Sequence, residues 1–423
     1  MRQPWSPAAL LLLLSVAPAL AGSPVPITDD AYLNYMPSLL QLQNGSLMIV
    51  YERLETSTLF GDLLVSFSDT GESWSPPQVI VGGAANQRHP SVVQRPDGTF
   101  LLFYLSNQTG GYRIHRAASA DGLSWAEEEV VALGWTTQSV VNPTVLQEPD
   151  GSLTMSYDRL SVGGYVAHSV DGVTWDQDRV QVSTGPLNRI MKHSNGTYVL
   201  SFQKKSGPLS SNIDIFTRTS IDRVNWSAET RVTATLNSHD SFPLEQADGS
   251  FAIFYATASG ADPYDLHSQS SADGTTWSAE RDWFAYEGWD TEPHPIRLDD
   301  GTIGLAWSRG PEQLTAEVVY AHLPTVAGTS PGAGRGSIDL RIVPNPARGP
   351  VRLLFTGDPE EGARIEIFDA SGRMVRELTY DSVRGGGEWD GRDDSGHLRP
   401  RGAYFARLAL PGRSAIGTIR LVR

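Results

Sequence analysis

Five short segments recur along this chain at nearly one spacing, and no other feature limits its fold so tightly. They read SDTGESW, SADGLSW, SVDGVTW, SIDRVNW and SADGTTW, and end at Trp74, Trp125, Trp175, Trp226 and Trp277, 50 or 51 residues apart. A second motif runs in step and occurs six times: PSLLQLQNGS, PSVVQRPDGT, PTVLQEPDGS, NRIMKHSNGT, SFPLEQADGS and PHPIRLDDGT. In each copy an apolar strand meets an Asn-Gly or Asp-Gly turn, the strongest short-range hairpin signal. A second apolar strand follows, such as LMIVYER, FLLFYLS or IGLAWSR.

One unit is then an inner strand, a turn, a second strand, a loop, a third strand, the box and an outer strand. Four strands in roughly 50 residues describe a propeller blade, and six hairpins predict six blades. The sixth unit has a third strand over Glu317 to Leu323 but no box and no room for a fourth strand. Pro24 to Thr28 is placed to supply it, and closing the ring this way removes exposed sheet edges.

The first 21 residues read as an export signal: Arg2, an apolar run from Ala8 to Ala17, and a small-residue cleavage site at Ala19-Leu20-Ala21. The apolar run is too short to span a bilayer, and no later stretch reads as a transmembrane segment. The chain has no cysteine, which excludes disulfides, thiolate metal sites and cysteine nucleophiles. A formal net charge of −15 argues against nucleic acid and anionic membrane surfaces as partners.

The S-x-D-G-x-[TS]-W segments resemble the Asp box of the sialidase (BNR-repeat) superfamily, and the resemblance covers residues 24–323. It implies that the box Asp accepts backbone N–H bonds in its turn and that the Trp packs between strands. Asp121, Asp171, Asp222 and Asp273 are therefore read as turn formers. Thr70 stands where the other boxes place Asp, and Arg223 where they place Gly. The resemblance also implies three arginines around a substrate carboxylate, a Tyr/Glu nucleophile pair and an Asp acid/base. The family's first arginine lies in an F-R-I-P motif. Here that place reads Asn34-Tyr35-Met36-Pro37, while Arg88, two residues before Pro90, holds the equivalent place one blade later.

Strand direction alternates within a blade, so the hairpin turns and boxes share one face. The other face collects the starts of inner strands and the ends of second strands, where a ligand is expected. Its candidate catalytic carboxylates are Glu52, Asp158, Asp240 and Glu292, and its candidate substrate-binding residues are Tyr35, Arg53, Arg88, Arg159, His239 and Arg309. Guanidinium groups pair bidentately with an acidic glycan, and a carboxyl pair can do acid/base work on a glycosidic bond. No H-E-x-x-H, G-x-S-x-G, P-loop or dinucleotide fingerprint occurs, and the nine histidines show no metal-ligand spacing. No metal and no cofactor is expected.

Residues 324–337 form a Pro/Gly/Ser-rich linker. Beyond it, short alternating strands carry Pro344-Asn345-Pro346, Asp369 with Gly372-Arg373, Trp389-Asp390-Gly391-Arg392-Asp393, and Gly402-x-Tyr404. These turn motifs resemble the immunoglobulin-like module of flagellar hook-capping proteins and the sorting domains of type IX secretion. The resemblance implies a bacterial exported protein, secreted or held at the cell surface, whose residues 338–423 meet the secretion machinery or the surface.

The expected architecture is all-β: a six-bladed β-propeller over residues 22–323, followed by a small immunoglobulin-like β-sandwich. The expected function is a secreted sialidase-like glycoside hydrolase acting on an extracellular glycan or glycoconjugate, with exo-α-sialidase activity as one form. The alternatives are a noncatalytic propeller that binds glycan or protein and a purely architectural module.

Overall fold

The structure is a computed structural model. It describes residues 23–422, except 127–128, 136–138, 177–179, 206, 208–211, 234–236, 259–263, 285–287, 313–314, 324–338, 344, 346, 357–363, 370–372, 381–385 and 411–412. The expected export signal and linker, with Pro344, Pro346 and Gly372, lie outside the described residues. The chain divides into two compact units, residues 1–330 and 331–423. Among the described residues no helix is long and apolar enough to cross a membrane.

The first unit is a β-propeller of antiparallel sheets, six of them among the described residues. Their inner strands are Leu33–Gln41, Gln87–Gln94, Val140–Gln147, Arg189–Lys192, Asn237–Glu245 and Trp289–Arg297. Second strands are buried along most of their length because each sheet has a neighbour on both faces. In the first, Leu47–Leu54, alternate residues face opposite sides. Met48 and Val50 pack with Leu102 and Tyr104 of the second sheet. Leu47, Ile49 and Tyr51 pack with Ala306, Val318 and Tyr320 of the sixth. Each further interface has its own apolar cluster, so the six sheets form a closed ring.

The ring closes as the sequence predicts. Val25–Pro26 pairs with the third strand of the sixth sheet, Thr315–Leu323, setting Val25 opposite Tyr320. Among the described residues the third sheet has three strands, and a single bridge from Tyr165 to Gln181 stands where its fourth strand is expected. The hairpin turns hold their glycines in the left-handed region, as at Gly45 with φ +87°.

The boxes are turns. Asp121 accepts the N–H groups of Leu123 and Ser124 at 2.8 and 2.7 Å, and Ser119 Oγ accepts that of Gly122 at 2.8 Å. Thr70 replaces those two short bonds with one of 3.3 Å from Glu72, yet the first box keeps its Ser68–Gly71 bond. Arg223 adopts φ +67° in place of glycine and hydrogen-bonds Thr154 of the third sheet through Nη1. The Trp rings bridge neighbouring sheets, a longer reach than packing between strands. Trp175 meets Phe103 of the second sheet edge-on, and Trp74 meets Tyr320 of the sixth. Because the first box tolerates Thr70, Asp121→Ala is expected to lower Tm by only about 1–3 °C, with an unchanged far-UV spectrum. Thermal melts by circular dichroism check this, and a collapse of the fold would contradict the turn-forming role.

The second unit packs a three-stranded sheet against a four-stranded one. Val351, Leu353 and Trp389 of the first share a core with Ile365, Ile367, Tyr404, Ala406 and Leu408 of the second. Asp369 and Asp390 serve turns, accepting the N–H groups of Arg373 and Arg392.

Candidate functional site

On the face opposite the boxes, every inner strand has a residue with positive φ within its first four positions or, in the fourth sheet, two residues before it. These are Met36, His89, Asn142, Leu187, Asp240 and Glu292, with φ between 49° and 57°. In five sheets the pairing with the second strand slips at this residue, which marks a bulge. Strained backbone of this kind persists only when its surroundings hold it.

The holding groups come from the preceding sheet. Glu52 accepts the His89 N–H at 2.7 Å, Asp158 that of Leu187 at 2.7 Å, and Gln203 Oε1 that of Asp240 at 2.8 Å. These three occupy one position near the end of their second strands. In the fifth and sixth sheets that position is Ala256 and Ser308, too short to reach across. There the bulge residues lean over instead: Asp240 accepts the Glu292 N–H, and Glu292 Oε2 accepts the Met36 N–H at 2.7 Å. Ser308 Oγ donates to the same oxygen at 2.8 Å.

This exchange decides which carboxylates face open space. A cavity of about 550 Å³ opens on this face, and its lining includes Asp240 and Glu292. Both also line a chamber of about 30 Å³ in the channel, beside Arg189 and His294. Burial raises the pKa of both carboxyls. Glu292 is pushed further by the charges of Asp240 and Glu52, while Arg189 partly offsets the rise at Asp240. Two carboxyl groups in one desolvated place hold a proton between them into the neutral range.

Six of the ten residues expected from sequence line this cavity: Tyr35, Arg88, His239, Asp240, Glu292 and Arg309. The other four do not. Glu52 is fully buried; burial raises its pKa, but the Arg88 charge 2.8 Å away, the His89 charge and the hydrogen bonds from both residues together hold it below the usual range. Asp158 is 1% exposed and takes hydrogen bonds from Asn142 and Asn188, which only partly offset the rise caused by its burial. Arg53 lies over the Tyr32 ring at 4.6 Å, and Arg159 over Trp135 at 4.6 Å. Asp290 holds Arg309 at 2.9 Å and also receives Trp307 Nε1. Burial, then the charges of Glu292 and Glu52, push the Tyr35 hydroxyl up to about 12.

Tyr264 and Trp289 also line the cavity, their ring centroids 5.0 Å apart. Sequence reading missed both as ligand contacts. Tyr264 begins a third strand, and third strands run parallel to inner ones, so their starts share the ligand face. Outside the cavity, His267, Glu280 and Asp282 of the fifth sheet bring one ligand-capable atom each within 4.8 Å. The two carboxylates lie 3.3 and 2.9 Å from His267 Nδ1 and raise its pKa against the effect of burial, so the trio is an ion-pair cluster.

The fold and its cavity define a β-propeller of the kind seen in several glycosidases. Over 71% of this chain and 70% of the other, it is similar to the NanB sialidase of Streptococcus pneumoniae (14% identity, TM-score 0.56). It is similar over 72% and 99% to an α-L-arabinanase of Penicillium chrysogenum (17%, 0.55). A protein of unknown function from Dyadobacter fermentans matches over 71% and 98% (15%, 0.59). No protein-family model and no curated protein matches the sequence. At these identities the likeness is one of fold.

Proposed function

We propose that the first unit is a six-bladed propeller that hydrolyses glycosidic bonds of an extracellular glycan, with Asp240 and Glu292 as its catalytic pair. The observation that carries this reading is the placement of these two carboxyls together, both with raised pKa, in the wall of an open cavity. Glu292 keeps its proton and acts as general acid, protonating the glycosidic oxygen as the C–O bond breaks. Asp240, ionised, takes a proton from the water whose oxygen bonds to the anomeric carbon, which completes the hydrolysis. Glu52 and Asp158 hold the strained bulges and do not react. Similarity of fold to proteins named as sialidases, an arabinanase and an arabinofuranosidase supports the same reading.

The second unit is read as an immunoglobulin-like module. Tyr404 donates its hydroxyl to the carbonyl of Pro400 at 2.8 Å, a tether of the sort found at a strand corner in such sandwiches. With the export signal expected over the first 21 residues, this supports a bacterial protein delivered outside the cell, where the second unit meets secretion machinery or the surface.

Release of reducing ends from a panel of glycans tests the hydrolase reading. Asp240→Asn is expected to lose about 10³-fold in kcat on any substrate the native protein turns over. Full activity in that variant removes Asp240 from the mechanism. Retained glycan binding without turnover by the native protein points to a binding propeller.

A further inference from the structure

We infer that the cavity selects neutral sugars and rejects anionic ones, an inference that rests on the hydrolase reading above. The sequence led to the opposite expectation, because arginines gather on this face. The structure shows what occupies them. Arg88 and Arg309 line the cavity, and each is already paired with a buried carboxylate, Glu52 at 2.8 Å and Asp290 at 2.9 Å. Glu52 and Asp290 are both fully buried. Turning either arginine toward a ligand would strand a buried charge, which is strongly unfavourable. Arg53 and Arg159 lie over aromatic rings and are not part of the lining.

Among the described residues one further arginine stands near the catalytic pair. Arg189 hydrogen-bonds Thr144 Oγ1 at 3.1 Å, lies 3.9 Å from Met36 Sδ, and forms no ion pair among the described residues. It lines the small chamber of about 30 Å³ and is not part of the lining of the main cavity. An anionic sugar entering the main cavity would therefore find both lining guanidinium groups already paired, and it would lie beside the charge of Asp240.

The remaining lining suits a neutral ring. Tyr264 and Trp289 offer an aromatic wall, with Leu33, Leu54 and Ala316 nearby. His239 has a fixed tautomer. Gln203 Oε1 accepts the Asp240 N–H, so its Nε2 is the group facing His239 Nδ1 at 3.2 Å. That amide donates, which leaves the proton of the neutral imidazole on Nε2. Burial lowers the His239 pKa and keeps the ring neutral. Its Nε2 is buried and has no hydrogen-bond partner among the described residues, and the ring packs edge-on against Tyr264 in the cavity wall, with centroids 5.3 Å apart.

The test is kcat/KM of the full chain on neutral 4-nitrophenyl glycosides (arabinofuranoside, xyloside, galactoside, glucoside) against the glucuronide and an aryl sialoside. Binding of the corresponding free sugars is measured by calorimetry alongside. The expected result is hydrolysis of at least one neutral glycoside with about 100-fold or greater preference over both anionic substrates. Equal or better turnover of an anionic substrate overturns the inference and leaves the hydrolase reading intact. Binding of neutral sugars alone without turnover supports the inference and overturns the hydrolase reading. Absence of both binding and turnover overturns the two together.

Discussion

Glu292→Gln is expected to lower kcat by about 10³-fold while raising Tm at pH 8 by a few degrees. The two effects have one cause. Glu292 sits partly buried beside Asp240, and burial together with the charges of Asp240 and Glu52 raises its pKa. A carboxyl whose folded-state pKa is raised contributes stability that is full below its unfolded pKa, near 4.3. That contribution is lost as pH rises through the higher folded-state value. At pH 8 the native protein bears the repulsion between two carboxylates, whereas glutamine bears none. The amide oxygen still accepts the N–H of Met36 and the hydroxyl of Ser308, so the bulge remains held. Near pH 4 the native carboxyl is neutral, and the difference in Tm should disappear. Melting curves from pH 4 to 8, with initial rates on the best substrate found, check both arms. A Tm that falls equally at every pH would make Glu292 a purely structural latch, like Glu52. An unchanged kcat would remove it from catalysis.

That comparison with Glu52 marks the limit of what the chain discloses before it is folded. The repeats were legible because each demands particular chemistry: a short acceptor at Asp121, glycine at a left-handed position such as Gly45, and an aromatic ring at Trp175. Closure by Val25–Pro26 was legible too, since the sixth unit had no box and no room for a fourth strand and a segment preceded the first hairpin. The ligand face followed from strand direction, and six of ten predicted residues reached the cavity. What separates Glu292 from Glu52 is not written near either residue. Glu52 reaches across to His89 because it stands at a holding position, and Glu292 faces open space because Ala256 and Ser308 cannot fill the same position. The charge state of the arginines escapes a linear reading for the same reason. Arg88 meets its partner, Glu52, from the neighbouring sheet. A count of arginines predicts an anion site, whereas their pairing predicts a neutral one.

The other large effect lies on the box face. Trp175→Ala is expected to destabilise the first unit by about 3–5 kcal/mol, the range for removing a buried aromatic ring. Trp175 is 3% exposed and meets Phe103 edge-on at 5.6 Å, in a cluster with Leu101, Leu153 and Met155 from the second and third sheets. Removing it opens a void between two sheets, and both are part of a closed ring, so neither can shift freely to fill the gap. Trp125 is only partly buried, and Trp125→Ala should cost less than Trp175→Ala. No residue of the Trp175 cluster lines the cavity, so kcat/KM measured well below the transition should stay within about twofold of the native value. Urea unfolding of the full chain, followed by tryptophan fluorescence and circular dichroism, gives the stability difference. Equal losses for Trp175→Ala and Asp121→Ala would mean that the box stabilises through its turn alone. A much larger loss for Trp175→Ala would place the stabilising contact of the repeat at the packing of one sheet on the next.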